Sequence, residues 1–92
     1  MNLTKRTDTH NTTKCPGRVI AWIAIHFTAG KNSRPRAALN VADWFRDPDN
    51  KSGSADFIVD DSLAVQYNPD PRNRYCWAVG GRKYPNSKGG SL

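Results

Sequence analysis

The stretch Val19-Ile20-Ala21-Trp22-Ile23-Ala24-Ile25-His26-Phe27 decides how the rest of the chain is read. It is short, β-branched and aromatic, and apolar at both odd and even positions. A strand with one wet face would alternate. This pattern instead calls for a strand covered on both sides, as an inner strand is when helices pack on its sheet. A buried helix would need a longer run, and Thr28-Ala29-Gly30 stops this one early. The unbroken apolar stretch, 19–25, is also far short of the ~20 residues a membrane-spanning helix requires.

Working outward toward the N-terminus, residues 1–18 are polar, rich in Thr, Asn and Lys, and end at Cys15-Pro16-Gly17. They read as a loosely held arm closed by a turn. The charged start is followed by no apolar stretch, so no signal peptide is recognised and the localisation is left open. On the other side, residues 33–46 read as a helix. Ser33 suits the N-cap, Pro35 suits the first turn, and Ala38, Val41, Ala42 and Phe45 recur at helical spacing with Trp44 beside them. Asp47-Pro48-Asp49 ends it, because proline disfavours helical geometry in the residue before it.

Two alternating runs follow. Phe57 and Val59 share a face of the first; Leu63, Val65 and Tyr67 share a face of the second. With Asp60-Asp61-Ser62 between them they read as a β-hairpin. Asn68-Pro69-Asp70-Pro71 breaks the second strand, residues 75–79 form a fourth short apolar segment, and Gly80-Gly81 leads into a basic Gly/Ser-rich tail that ends at Leu92. The order implies an α/β fold, with a mixed central β-sheet and a flanking helix. A strand covered on both faces needs two helices and only one is visible, so the domain is expected to be truncated at its C-terminus. The organisation expected is an arm over 1–18 and one domain over 19–92.

Composition narrows the chemistry. Fourteen Lys and Arg against eight acids give a net charge of +6, and every acid is an Asp. Any mechanism that needs a glutamate must find it outside these 92 residues. The charge favours anionic partners, yet the basic residues are scattered and no nucleic-acid-binding motif is present, so no specific nucleic acid is expected. Cys15 and Cys76 would make one bridge at most and do not fix a redox compartment.

His26 is the most interesting titratable residue. By parity it shares a face with Ile20, Trp22 and Ala24 at the end of the expected inner strand, where a rigid imidazole would bind Zn²⁺ or relay a proton. A His hydrogen-bonded to a loop fits the same position. His10 lies in the polar arm; Asp56 and Cys76 are possible companions, but neither stands at a ligand spacing from His26. Asp60 and Asp61 fit the hairpin turn. Asp56 opens the strand on the face opposite Phe57. The aromatics Trp22, Trp44, Phe45, Phe57 and Tyr67 fit a core, and Trp77, next to Gly80-Gly81, suits either the core or a cleft that stacks sugar or peptide.

The string Ile23-Ala24-Ile25-His26-Phe27-Thr28-Ala29-Gly30 resembles the opening strand of the type 2 N-acetylmuramoyl-L-alanine amidases. That family shares its fold with peptidoglycan recognition proteins and phage lysins. Ala42-Asp43-Trp44-Phe45, Ser54-Ala55-Asp56-Phe57-Ile58-Val59-Asp60, Val65-Gln66-Tyr67-Asn68-Pro69 and Tyr75-Cys76-Trp77-Ala78-Val79-Gly80 resemble later family segments in the same order. The resemblance covers roughly residues 19–81. It implies the amidase fold and hydrolysis of the muramoyl–L-alanine amide of peptidoglycan. It also implies Zn²⁺ with His26 as first ligand, and Thr28, Asp56 and Trp77 at the substrate cleft. Asp56 stands where many members carry His, and Ala78 where the Trp-His pair has its His. The family's other two zinc ligands and its catalytic glutamate follow the Trp-containing strand. The catalytic residues are therefore expected beyond Leu92, and the 92 residues alone are expected to be inactive. Two rivals come from other classes: a module that binds peptidoglycan without cutting it, and a small basic nucleic-acid binder.

Overall fold

A computed structural model describes residues 2–21, 23–26 and 36–78. Its elements run β1 (Asn2–Lys5), β2 (Thr12–Lys14), α1 (Ala37–Arg46), β3 (Phe57–Val59), β4 (Leu63–Gln66) and β5 (Arg74–Cys76). One sheet has the order β1-β4-β3, parallel between β1 and β4 and antiparallel between β4 and β3. A second sheet pairs β2 with β5 antiparallel. The α/β class, with a mixed sheet and a helix on one face, therefore holds.

The hairpin forms, but its first strand turns Phe57 and Val59 outward and buries Ile58. Ile58 and Val65 face each other and are buried. They pack with Tyr67 and Cys76 against Ala38 and Ala42 of α1, while Leu39, Val41, Phe45 and Leu63 close the margin. Phe45 meets Tyr67 edge-on, with ring centroids 5.4 Å apart, an arrangement that aromatic quadrupoles favour. The opposite face of the sheet is open. Leu3, Phe57 and Val59 share it by register and stay about half exposed. Phe57 and Trp44 are thus surface residues, not the core residues their pattern suggested.

The inner strand expected over 19–27 is not formed. Among its described residues, 19–21 and 23–26, Ile20 alone pairs, as an isolated bridge, and all are exposed; Ile23 and Ile25 are 84% and 94% exposed. Trp22 and Phe27 lie outside the described residues. A β-rich segment becomes a strand only where a neighbour accepts its hydrogen bonds along its length; residues 19–21 and 23–26 find such a neighbour only at Ile20, and the inner place of the sheet is held by β4, between β1 and β3.

The N-terminal residues are ordered into strands instead, each at the edge of its sheet. Residues 2–18, read as a loosely held arm, supply β1 and β2, and place Asn11 and Arg18 in buried positions. Arg6 and Asp8 extend the β1–β4 pairing through backbone bonds to Gln66 and Tyr67 carbonyls. Ion pairs from Arg6 to Asp43 and from Arg46 to Asp8 lash α1 to the same stretch.

α1 begins at Ala37; Ser33 and Pro35 lie outside the described residues. Arg36 precedes the helix in a left-handed conformation with no side-chain cap. The cap comes from across the fold, where an Asp60 carboxylate oxygen accepts the Ala38 N–H at 2.8 Å. Its other oxygen accepts the N–H groups of Ser62 and Leu63, the turn-making role that Asp60-Asp61 suggested. These three donors, Ala38 foremost, hold the Asp60 carboxyl below its ordinary pKa. The Asp47 N–H closes the other end of α1 on the Trp44 carbonyl. The fourth strand runs over Arg74–Cys76, within the expected 75–79 segment apart from its first residue, and pairs with the arm. Residues 79–92, the basic tail with its last residue Leu92 included, lie outside the described residues.

Candidate functional site

The end of β5, where Trp77 emerges, is the best-built surface feature of the described residues. Register places Thr13 opposite Tyr75, and the alternation of a strand puts Trp77 on their side. The Trp77 indole N–H donates to the Thr13 hydroxyl at 2.8 Å, and its backbone N–H donates to the Asn11 carbonyl at 3.1 Å. The residue is nonetheless 47% exposed. An indole with its polar end tied and a wide surface in solvent is suited to stacking on a flat ligand.

Behind Trp77 lies a buried polar network. Asn11 is 5% exposed and sits at φ 58°, a left-handed conformation that Asn tolerates better than most residues. Its side-chain amide donates to the carbonyls of Asn50 and Gly53. Its own carbonyl accepts both the Trp77 N–H and the Ser54 hydroxyl. The His10 ring Nε2 donates to the Asn50 carbonyl at 2.7 Å. Gly53, at φ 154°, passes so close to Trp77 that a Cβ there would stand 2.6 Å from the Trp77 carbonyl oxygen.

Asp56 belongs to the neighbouring part of this network. One carboxylate oxygen lies 3.4 Å from the Arg18 guanidinium and the other accepts the Asn68 amide at 2.8 Å. Arg18 Nε also donates to the Pro71 carbonyl. Asn68, wholly buried, has a second donor on the Arg74 carbonyl, and its oxygen accepts the Asp70 N–H. The Cys76 thiol lies within hydrogen-bonding reach of Ser54 and Asp56, and burial pushes its pKa up to about 12. Such a thiol stays protonated at neutral pH and is neither a ready nucleophile nor a ready metal ligand. Cys15 and Cys76 are both free.

The residues singled out in the sequence divide accordingly. Asp56 and Trp77 come to adjoining parts of one network. His26 is exposed, in a segment outside both sheets, and Thr28 lies outside the described residues. The catalytic residues expected beyond Leu92 fall outside this sequence, and Leu92 itself is not among the described residues, so no catalytic group is placed here. The described residues contain no group of three or more His, Cys, Asp or Glu able to hold a metal ion. Of the residues singled out beside His26, Asp56 is engaged by Arg18 and Asn68, and Cys76 is buried and protonated. A catalytic zinc takes three protein ligands, and the resemblance carries only His26 of these onto this chain. Asn11 and Gly53 carry in the sequence only the signal of turn-forming residues, Asn68 that of a strand-breaking loop, and Arg18 none, because its partners Asp56 and Pro71 are distant along the chain.

The chain matches no protein-family model, no curated protein and no solved structure.

Proposed function

We propose that this chain carries the N-terminal motifs of a zinc-dependent N-acetylmuramoyl-L-alanine amidase and engages peptidoglycan through the Trp77 surface. The observation that carries the proposal is the series of motifs in family order, from Ile25-His26-Phe27-Thr28-Ala29 through Ser54-Ala55-Asp56-Phe57 to Trp77-Ala78-Val79-Gly80. The half-exposed, tethered Trp77 supports it, because aromatic faces stack well on sugar rings and peptide planes. A positive net charge of +6 suits a wall that carries anionic polymers.

The chemistry of such an enzyme comes from a zinc ion that polarises the scissile carbonyl and activates water. Of this chain's residues, His26 would supply one ligand. The 92 residues contain no glutamate, so no hydrolytic step is assigned to them. Their part is to bind and orient the wall, with Trp77 as the stacking face and Asp56 behind it.

The test is to incubate the purified 92-residue chain with isolated peptidoglycan sacculi, with and without added zinc. The expected result is sedimentation with the sacculi and no release of muropeptides. Zinc-dependent release abolished by His26→Ala would show that these residues hold a complete catalytic site. Failure to sediment, with DNA or RNA affinity that falls steeply with salt, would favour the nucleic-acid binder.

A further inference from the structure

We infer that Asn11, far from Trp77 in sequence, is the positioning residue for the Trp77 surface. Trp77 is held at three points, and Asn11 controls or adjoins all of them. Its backbone N–H ends on the Asn11 carbonyl. Its carbonyl side is packed against Gly53, whose own carbonyl accepts from the side-chain amides of Asn11, at 3.1 Å, and Asn50, at 3.3 Å. Its indole N–H ends on Thr13, two residues along the same segment.

The left-handed backbone at Asn11 makes this possible. It turns the chain sharply between the Thr9–Thr12 turn and β2, so that the carbonyl of residue 11 and the hydroxyl of Thr13 both face Trp77. The same residue sends its amide the other way, to Asn50 and Gly53. One buried residue thus joins three segments, its amide reaching residues 50–53 and its backbone carbonyl reaching Ser54 and Trp77. Fixing the ring before a ligand arrives removes an ordering cost from binding. The benefit to wall binding rests on the proposed function; the placement of the ring does not.

The experiment uses the full chain carrying Trp22→Phe and Trp44→Phe, so that Trp77 is the only indole. Acrylamide quenching and emission anisotropy of Trp77 are measured in this parent and in its Asn11→Ala and Asn11→Gly derivatives. Far-UV circular dichroism is recorded alongside. Asn11→Gly keeps the left-handed backbone and the carbonyl, and removes only the amide. The expected result is a quenching constant raised about twofold and a lowered anisotropy, with the helix signal retained. Binding to peptidoglycan sacculi should weaken about threefold to tenfold, the change that the ordering cost of one side chain corresponds to.

Folded Asn11→Gly protein whose Trp77 quenching and anisotropy match the parent would overturn the inference. If the Asn11 variants do not fold, Thr13→Val and Gly53→Ala decide it. Both should mobilise or displace the indole, and an unchanged indole in both refutes the three-point hold. A parent that ignores sacculi refutes the proposed function and leaves the spectroscopic result standing by itself.

Discussion

Asp56→Asn is the most informative single substitution, because it removes a charge and almost nothing else. The Arg18 side chain is 0% exposed and the Asp56 side chain 28% exposed, with 3.4 Å between the charged groups. Asn keeps the shape, and its amide oxygen can still accept from Asn68. What changes is that a buried guanidinium loses this counter-charge while keeping its bond to the Pro71 carbonyl. Removing one partner of a fully buried ion pair costs about 3–5 kcal/mol. The long separation and the partial exposure of the carboxylate place this pair lower, at about 2–3 kcal/mol. For a chain of this size that is a fall in Tm of roughly 10–20 °C. The assay is thermal unfolding followed by circular dichroism, checked by the urea midpoint. The companion variant, Arg18→Met with Asp56→Asn, should lose less than the sum of the two single losses, because no buried guanidinium remains. An Asp56→Asn chain whose Tm falls by less than about 2 °C would refute the argument that this pair holds residues 18 and 56 together.

Tyr67→Phe should cost about 1–2 kcal/mol through loss of the hydroxyl bond to the His10 carbonyl, with the ring contact to Phe45 unchanged; urea denaturation reads it. Asp60, whose folded pKa lies below its ordinary 3.8, contributes stability that is present above 3.8 and lost as pH falls through the lower folded value. Acid titration of Tm should therefore show a fall below that pH which is shallower in Asp60→Asn. Cys76, with its pKa pushed from 9.0 to about 12, contributes stability present below pH 9.0 and lost as pH rises toward 12; Cys76→Ala should flatten that alkaline fall. Iodoacetamide at about pH 8 should modify Cys15 first, with Cys76 reacting only once urea unfolds the chain, as peptide mass mapping will show.

The alternation of residues 57–67 and the helical stripe of 38–45 were enough to place a hairpin and a helix, because both patterns are local. An amphipathic period survives whatever the partner is. So does the Asp60 turn, whose donors are two and three residues away. Asp56 and Trp77 were singled out as cleft residues by the resemblance, and Trp77 also by its place next to Gly80-Gly81. Their surroundings were not legible, because Arg18 and Asn11 reach them from far upstream in the chain, and no local rule connects such pairs.

The stretch around His26 marks the limit most plainly. Its β-branched, apolar composition is a property of the sequence, but becoming an inner strand is not, since a strand needs an edge to pair with. Asn2–Lys5, polar and undistinguished by composition, pairs with β4, while residues 19–21 and 23–26 are exposed. Local periodicity settled the helix and the hairpin but neither β1 nor β2, and composition settled the charge and the lack of glutamate. Which strands pair, which face is closed, and how Trp77 is held followed from hydrogen-bond partners that only the folded chain brings together.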